Sequence, residues 1–433
     1  MTKRDGYPVI PLLEQRSKFF CPAKWTELYL YLNHGTSNSC HHPIPHDIPA
    51  ELLDNPSVLH NTPHKLKMQQ LMIDGDRPQE CHMCWHIEDM SDDSISDRFV
   101  KSTNWKNDIA TLQVDPDHVP KLIEVVFDNV CNLSCSYCDS GSSSIWANRI
   151  TQEPLHLETD YRQLYSKVSI TPGQSKPEYA EAWMRWWPQI RDKVEILKVS
   201  GGEPLLSKNF WKFLEGIGKA PQLNFYINSN LSVEPKWLDR LAGHAESLNR
   251  IKISASIDAT GDIAEHVRQG LDYKLFKSNI EHWCKTTPDN CSLNLQSTIN
   301  LFSVWGLRDK LDLALELKTR YPTRIAEFYS TLVRFPEFQS ISVLPAHLKE
   351  PLAKQLSDWL TANGTALTTN EQAFVNKTIV YLTGEPEQLH QLEQGKLKLD
   401  IVKFLQYYSK SSQRNIADIY PSNFVRWIDQ IKE

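Results

Sequence analysis

The run Cys131-Asn-Leu-Ser-Cys135-Ser-Tyr-Cys138 follows directly after an apolar, strand-like segment, Ile123 to Phe127. Three cysteines this close cannot all pair with one another, and thiolates are preferred ligands of soft metals and iron–sulfur clusters. A four-iron cluster held by three ligands keeps one iron open for another molecule. The spacing therefore predicts a metal centre with an open position, and an enzyme. A zinc site or reduced structural thiols are the alternatives.

The stretch Ile196-Leu-Lys-Val-Ser-Gly-Gly-Glu-Pro204 is another short strand that ends in a Gly-Gly-Glu-Pro turn. Two glycines let the backbone approach a ligand closely, and the Glu203 carboxylate can accept a hydrogen bond from a cationic amine. Glycine and proline also mark ordinary strand-to-helix turns, so this motif alone indicates little. The order of strand, cysteine loop, helix, strand and Gly-Gly-Glu-Pro turn is far more specific than either motif.

Together these segments resemble the radical S-adenosylmethionine (radical SAM) superfamily. In that family the C-x3-C-x2-C loop holds a [4Fe–4S] cluster, and the free iron chelates the methionine part of S-adenosylmethionine. The resemblance implies that the cluster ligands are Cys131, Cys135 and Cys138. It also implies that the cofactor's amino group is bound by the turn formed by Gly201, Gly202 and Glu203.

The strand-like runs predict the architecture. Six of them alternate with helical patterns: Ile123 to Phe127, Val194 to Val199, Leu223 to Ile227, Ile251 to Ile257, Leu293 to Ile299 and Ile341 to Leu344. This alternation predicts an α/β fold with a parallel sheet. The resemblance implies a partial (β/α)6 radical SAM barrel over residues 119–350, with its chemistry at the carboxyl ends of the strands. Residues 1–118 form a predicted cysteine-rich module, and residues 351–433 a predicted helical carboxyl-terminal region.

Polar residues follow the predicted strands. Ser256 and Asp258 close the fourth strand, and Arg268 lies ten residues beyond Asp258. By resemblance, Ser256 and Asp258 contact the ribose of the cofactor, Arg268 meets its carboxylate, and Tyr137 flanks its adenine. The residues alone leave two alternatives open: Ser256 and Asp258 cap the following helix, or Arg268 is a solvated helix residue.

Four more cysteines precede the predicted barrel: Cys21, Cys40, Cys81 and Cys84. The last two form a C-x2-C pair, whose spacing suits two ligands of one metal. These segments are similar to the auxiliary-cluster module of SPASM- and twitch-type radical SAM enzymes, moved to the amino terminus. The resemblance implies a second [4Fe–4S] cluster suited to electron transfer, with zinc as the alternative. Four neighbouring histidines are further candidate ligands, but four cysteines already suffice, so surface or hydrogen-bonded histidines are the preferred interpretation: His41, His42, His82 and His86.

The resemblance implies a reaction as well. S-adenosylmethionine is cleaved reductively at the [4Fe–4S] cluster to a 5′-deoxyadenosyl radical, which abstracts a hydrogen from the substrate. A peptide or protein substrate is expected, because SPASM and twitch relatives often act on ribosomal peptides. A sugar, nucleoside or amino acid is the alternative, and a non-catalytic metal-binding interaction protein is a third reading. A small reductant such as flavodoxin or ferredoxin is the expected electron donor.

Composition excludes some classes of partner. The 433 residues contain 47 Lys and Arg against 53 Asp and Glu, which gives a formal net charge of −6. No basic run dominates, so a nucleic-acid or membrane-surface binder is not expected. Residues 1–16 lack the apolar segment of a signal peptide, and no apolar run is long enough to span a membrane. We therefore expect a cytoplasmic location, where clustered thiolates stay reduced.

Overall fold

The framework of the protein is a nine-stranded sheet. The computed structural model describes residues 6–159, 176–384, 391–412 and 414–432. Its strands in chain order are β1 (Glu27–Tyr31), β2 (Thr36–Asn38), β3 (His46–Asp47), β4 (Leu122–Val126), β5 (Ser134–Cys135), β6 (Ile196–Ser200), β7 (Ala220–Ser229), β8 (Leu248–Ser256), β9 (Arg268–Gln269), β10 (Cys291–Ile299) and β11 (Ile325–Leu332). β5 and β9 pair with each other, and the other nine lie in the order β11-β10-β8-β7-β6-β4-β1-β2-β3.

Helices follow most of the parallel strands and make up the carboxyl-terminal region. They are Ile10–Arg16, Ala23–Thr26, Pro63–Asp74, His82–Met90, Asp97–Asn104, Ser144–Gln152, Pro177–Ile190, Lys208–Glu215, Pro235–Ala242, Gly261–Val267, Tyr273–Thr286, Leu307–Arg320, Ala346–Asn363, Thr369–Thr383, Gln391–Ser409, Ile416–Ile419 and Ser422–Gln430. In the described parts of the chain, no helix is both long and apolar enough to cross a membrane.

Six neighbouring strands of the sheet (β4, β6, β7, β8, β10 and β11) are all parallel. Parallel neighbours need crossover connections, and helices between the strands supply them. The predicted α/β fold with a partial barrel of parallel strands and a helical carboxyl-terminal region is therefore confirmed.

The sixth predicted strand, however, is in the wrong place. The structure puts the sixth strand at Ile325–Leu332, whereas Ile341–Val343 forms a single 3₁₀ turn. β11 lies at the edge of the sheet and contains Glu327 and Thr331, so it lacks the continuous apolar run of a strand buried on both faces. The apolar run at 341–343 is instead capped by the Ser340 side chain, which favours a turn.

The two faces of the sheet differ in character. On β4, Ile123 is fully buried on one face, and Glu124 points to the opposite, half-buried face. The strand register aligns Glu124 with Lys198, Lys198 with Tyr226, and Tyr226 with Lys252. Aligned residues of parallel strands share a face. These four residues therefore form a polar band, which we call the inner band, on the face opposite the core.

The amino-terminal strands extend the sheet beyond β4. β1 pairs with β4 in parallel, with Tyr29 aligned to Glu124, and β2 pairs antiparallel to β1. Because β2 runs opposite to β1, Cys21, which precedes β1, and Cys40, which follows β2, come to the same end of the sheet. The sheet is thus continuous across the predicted domain boundary at residues 118 and 119.

A second, smaller hydrophobic core lies in the amino-terminal module. Its buried members are Val9, Ile10, Leu13, Phe20, Trp25, Met72, Cys84, Trp85, Phe99, Ile109 and Leu112. The module therefore has apolar packing of its own in addition to the strands that it adds to the sheet.

The carboxyl-terminal helices pack against the loop that carries the three clustered cysteines. The Tyr408 hydroxyl donates a hydrogen bond to the carbonyl oxygen of Ser134 at 2.8 Å. The Arg149 guanidinium lies over the ring of Tyr408, 5.5 Å from its centroid. Asp400 is fully buried and accepts hydrogen bonds from Thr159. The helical region therefore holds the cysteine loop from the side.

Candidate cluster and cofactor site

Cys131, Cys135 and Cys138 line one pocket, with a volume of about 180 Å³, beyond the carboxyl ends of β4 and β6. We call it the open pocket. Its other lining residues come from strand ends and from the Gly-Gly-Glu-Pro turn: Leu133, Tyr137, Ser142, Ser200, Gly201, Gly202, Asn228, Ser229, Asn230, Ser256, Arg268 and Thr298. The structure thus brings the two sequence motifs together in one site.

Burial controls the acidity of the three thiols. It raises the pKa of Cys131 to about 12 and that of Cys135 to about 11, and it raises the pKa of Cys138 well above its usual value. Buried thiols of this kind become thiolates when a metal compensates their charge. The Leu133 backbone N–H donates to the Cys131 sulfur at 3.4 Å, which adds to that compensation. The donor set fits an iron–sulfur cluster.

Over the described residues, one compact group of three candidate ligand atoms is found, formed by His41, His42 and Asp97, whose atoms all lie within 4.8 Å of one another. Among these residues the cysteine sulfurs do not form such a group, so zinc stays an alternative to a cluster at the cysteine sites.

The Gly-Gly-Glu-Pro turn packs directly against the chain that leads into the cysteine loop. Gly201 has a φ of +126°, and a Cβ on Gly202 would lie 2.2 Å from the carbonyl oxygen of Val130. The Glu203 backbone N–H donates to that same oxygen at 2.7 Å. Any side chain at position 202 would push the turn away from the loop, so glycine is required there for steric reasons.

The Glu203 carboxylate is used within the protein. It is almost fully buried and accepts hydrogen bonds from the Asn230 backbone N–H at 2.7 Å and the Ser229 hydroxyl at 2.9 Å. Burial nevertheless raises its pKa to about 7. Glu203 is not part of the pocket lining, although Gly201 and Gly202 are. The carboxylate therefore holds the turn against the end of β7 through these hydrogen bonds. The contact between Glu203 and the cofactor's amino group stays a prediction.

The remaining predicted cofactor residues divide into two sets. Ser256, Tyr137 and Arg268 line the open pocket, as a cofactor contact requires. Asp258 does not line it. Its side chain is fully buried and accepts hydrogen bonds from the Tyr137 hydroxyl at 2.9 Å and Arg268 Nε at 2.8 Å. The structure therefore gives Asp258 a place behind the pocket, not the predicted place against the ribose.

The two simpler alternatives for these residues do not hold. Arg268 belongs to β9 and is only 6% exposed, so it is not a solvated helix residue. The helix that follows β8 is Gly261–Val267, and its N-cap residue is Thr260. Asp258 and Ser256 therefore do not cap it.

The four amino-terminal cysteines also converge. Cys21, Cys40, Cys81 and Cys84 line a pocket of about 30 Å³, which we call the closed pocket. Burial raises the pKa of each of the four thiols, that of Cys84 to about 11. Its other lining residues are Ala23, Lys24, Ser39, His42, Pro43, Met72, Trp85, Asp97, Arg98 and Lys101. Four thiols would complete the ligand set of a zinc ion or of a four-iron cluster.

Three cations of the closed pocket were not apparent from the sequence. Each has a carboxylate partner: Lys24 contacts Glu80, Arg98 Nη2 lies 2.6 Å from Glu88, and Lys101 Nζ lies 2.6 Å from Glu27. Lys24 lies in the helix Ala23–Thr26, and the other two lie in the helix Asp97–Asn104. Only the fold brings these charges to the sulfurs, where each opposes the burial-driven rise in the pKa of a neighbouring thiol.

The neighbouring histidines differ in their surroundings. His42 Nε2 lies 2.8 Å and His41 Nε2 lies 3.2 Å from Asp97 Oδ2, and His42 and Asp97 also line the closed pocket. His82 and His86 do not line it. The first two histidines therefore tie the Cys40 loop to the helix that begins at Asp97.

The two cysteine pockets lie at opposite ends of the sheet. Cys21 and Cys40 lie at the amino end of β1, whereas Cys131 follows the carboxyl end of the parallel neighbour β4. A five-residue strand is about 16 Å long. The inner band, including Glu124, lies on the strands between the two ends.

A protein-family model matches the part of the chain that forms this site. Residues 125–295 match the family model described as the Radical SAM superfamily. This range begins within β4 and includes both the cysteine loop and the Gly-Gly-Glu-Pro turn. The chain therefore contains a radical SAM domain and is an enzyme.

No curated protein matches the chain. Among solved structures, the chain is similar to SuiB of Streptococcus suis bound to S-adenosylmethionine. The two are 14% identical with a TM-score of 0.37, and the match covers 78% of this chain and 70% of that one.

Proposed function

We propose that this radical SAM enzyme binds two [4Fe–4S] clusters and abstracts a hydrogen atom from a peptide or protein substrate. One observation carries the proposal: three cysteines converge in a pocket of about 180 Å³, and the four amino-terminal cysteines converge in another of about 30 Å³. When bound, the first cluster and S-adenosylmethionine supply a 5′-deoxyadenosyl radical, which removes a substrate hydrogen.

The chain's own residues have separate tasks in this proposal. Cys131, Cys135 and Cys138 hold the first cluster, and the backbone of Gly201 and Gly202 receives the amino group of S-adenosylmethionine. Ser256 contacts the ribose, and Tyr137 flanks the adenine. Tyr137 lines the pocket while its hydroxyl is tied to Asp258, so its ring is held in place before the cofactor arrives.

The amino-terminal cysteines hold the second cluster in this proposal. Cys21, Cys40, Cys81 and Cys84 complete its ligand set, so it exchanges electrons without binding substrate. Bound there, the cluster would supply electron transfer, either as the acceptor of an electron from the substrate radical or as a relay from a small reductant such as flavodoxin or ferredoxin. All nine cysteines are free thiols, which suits the reducing conditions of a cytoplasmic location.

The substrate is proposed to be a peptide or protein because the amino-terminal module resembles those of SPASM and twitch enzymes. A small polar molecule is the second candidate substrate. The inner band offers charged and hydroxyl groups to such a molecule, and it lies on the strands between the two pockets. The rate of deoxyadenosine formation distinguishes the two substrate classes. A protein and peptide fraction of the host extract should stimulate it above the level without substrate, whereas stimulation by the small-molecule filtrate alone would support the second candidate.

Anaerobic reconstitution with iron and sulfide, followed by iron counting and a deoxyadenosine assay with dithionite, tests the cofactor content. About eight irons per chain with deoxyadenosine formation is the expected result. About four irons would assign the amino-terminal cysteines to zinc or to structure. A fully loaded protein without deoxyadenosine, with or without extract, would contradict the proposed reaction.

The double substitution Cys81→Ala and Cys84→Ala tests the second cluster. It should lower the iron content from about eight to about four per chain while S-adenosylmethionine cleavage without substrate persists. Turnover of a substrate should fall, because the electron acceptor is lost. Unchanged iron content would remove the second cluster from the proposal.

A further inference from the structure

The guanidinium of Arg268 lies directly beside one of the three cluster cysteines. β5 and β9 pair antiparallel, with Cys135 aligned to Arg268. The Ser136 backbone N–H donates to the carbonyl oxygen of Val267 at 2.8 Å, which extends this pairing. Arg268 Nη1 lies 3.8 Å from the Cys135 sulfur. Backbone pairing thus holds a cation against one ligand sulfur.

The rest of the guanidinium is held from behind by Asp258. Arg268 Nε donates to Oδ2 at 2.8 Å, and Nη2 donates to Oδ1 at 3.1 Å. Asp258 is fully buried and is itself fixed by the Thr298 backbone N–H at 2.7 Å. Two of the three guanidinium nitrogens are therefore committed to the carboxylate, and the third faces the sulfur. The planar fork of arginine allows this arrangement, which lysine cannot reproduce.

We propose that Arg268 sets the reduction potential of the first cluster by donating a hydrogen bond to the Cys135 thiolate, with Asp258 as its positioning residue. This inference rests on the proposed function. Reduction adds one electron to the cluster, so the reduced form carries more negative charge at its ligands. A fixed, charge-assisted donor stabilises that form more than the oxidised form, and hydrogen bonds to ligand sulfurs are an established way to raise a cluster's potential.

This role differs from the predicted contact between Arg268 and the carboxylate of S-adenosylmethionine. A carboxylate contact operates only when the cofactor is bound, whereas a hydrogen bond to Cys135 changes the cluster in its absence. The potential of the first cluster without S-adenosylmethionine therefore separates the two roles.

The test is a redox titration of the reconstituted full-length protein, followed by electron paramagnetic resonance without S-adenosylmethionine. Afterwards, the cofactor is added to identify the signal that it perturbs as that of the first cluster. The paired substitution Arg268→Gln and Asp258→Asn removes the cation and its counter-ion together and leaves the net charge unchanged. We expect the midpoint potential to become more negative by about a tenfold change in the reduction equilibrium, ~59 mV for one electron.

Two single variants complete the design. Arg268→Lys keeps the positive charge but loses the third fixed donor, so the midpoint potential of the first cluster should shift in the same direction. This single variant keeps the prediction measurable if the paired variant does not fold. Arg149→Gln is the matched control. Arg149 donates to the Ser134 hydroxyl at 3.2 Å on the same loop, and in the described residues no hydrogen bond joins it to a cysteine sulfur. The midpoint potential of the first cluster in Arg149→Gln should therefore equal that in the unmodified protein.

Each outcome has one meaning. A negative shift in the Arg268 variants and none in Arg149→Gln supports the proposal. A wild-type potential in the Arg268 variants that bind their full iron content overturns it, and weaker S-adenosylmethionine binding in the same proteins would then assign Arg268 to the cofactor carboxylate. If the unmodified protein forms no cluster signal that S-adenosylmethionine perturbs, the proposed function itself fails.

Discussion

The open and closed pockets are both lined by cysteine thiols but differ in what surrounds the sulfurs. The open pocket has three cysteines and a volume of about 180 Å³, and strand ends and a glycine turn form much of its wall. The closed pocket has four cysteines, about 30 Å³ and three cations that are each paired with a carboxylate. The number of thiols and the space beside them decide whether a cluster can bind another molecule. Four predictions test that difference.

The largest effect is expected from Cys135→Ala in the open pocket. Loss of one of only three ligands should remove the first cluster, lower the iron content from about eight to about four per chain, and abolish deoxyadenosine formation. Cys284→Ala is the control, because Cys284 is buried outside both pockets. Iron counting and the deoxyadenosine assay measure both effects, and persistent deoxyadenosine in Cys135→Ala would contradict the assignment.

The next effect concerns the cations of the closed pocket. Lys101→Met should lower the free energy of unfolding by about 3 kcal/mol, because it leaves the buried Glu27 carboxylate without its cation. The exposed Lys106, in the same module, provides the control variant Lys106→Met, which should change stability little. Denaturant titration measures the difference. Equal stability of the two variants would show that the paired charges do not support the closed pocket.

Gly202→Ala should affect the open pocket alone. The added Cβ would lie 2.2 Å from the carbonyl oxygen of Val130, so the turn must move away from the cysteine loop. We expect about tenfold weaker binding of S-adenosylmethionine, or ~1.4 kcal/mol, measured by calorimetry. At Gly216 a Cβ would meet nothing closer than 3.6 Å, so Gly216→Ala is the control. Equal affinity of both variants would rule out the turn as part of the cofactor site.

The smallest effect is expected in the pH dependence of stability, because the pKa shifts in opposite directions for a carboxylate beside each pocket. Burial also opposes the charged form of Glu80 beside the closed pocket, but Lys24 and His64 together outweigh it and the pKa is lowered. For Glu203 beside the open pocket, burial wins and the pKa rises to about 7. The folded state then binds more protons than the unfolded state, so stability falls as the pH rises toward 7.

Between pH 6 and pH 7 this group should lower the free energy of unfolding by about 1 kcal/mol. Denaturant titrations of the unmodified protein and of Glu203→Gln at the two pH values measure it. The variant should lose that part of the pH dependence. The same slope in both proteins would show that Glu203 is ionised throughout this range.

Much of the open pocket could be predicted because its ligands are close in the sequence. Cys131, Cys135 and Cys138 lie within one loop, and Gly201 and Gly202 end a single strand, so local spacing alone indicated both parts of the site. The strand alternation likewise predicted the α/β sheet. The sixth strand was misplaced because an edge strand such as Ile325–Leu332 carries a weaker apolar pattern than a short buried turn.

Other parts of the site depend on contacts that local patterns do not encode. Asp258, Arg268 and Cys135 form one buried network although they come from different elements. The cations of the closed pocket also come from two distant segments, the helices Ala23–Thr26 and Asp97–Asn104. No spacing rule relates such residues, because their neighbourhood is set by how the strands pair and the helices pack.

The sequence by itself therefore determined the ligand chemistry, the radical SAM motifs and the parallel α/β core, since each depends on residues close together in the chain. Only the tertiary structure decided that the four amino-terminal cysteines share one pocket, that β1 joins β4, and that the two pockets lie at opposite ends of the sheet. The physical reason is that long-range pairing depends on the burial of whole faces and on backbone hydrogen bonds between distant segments.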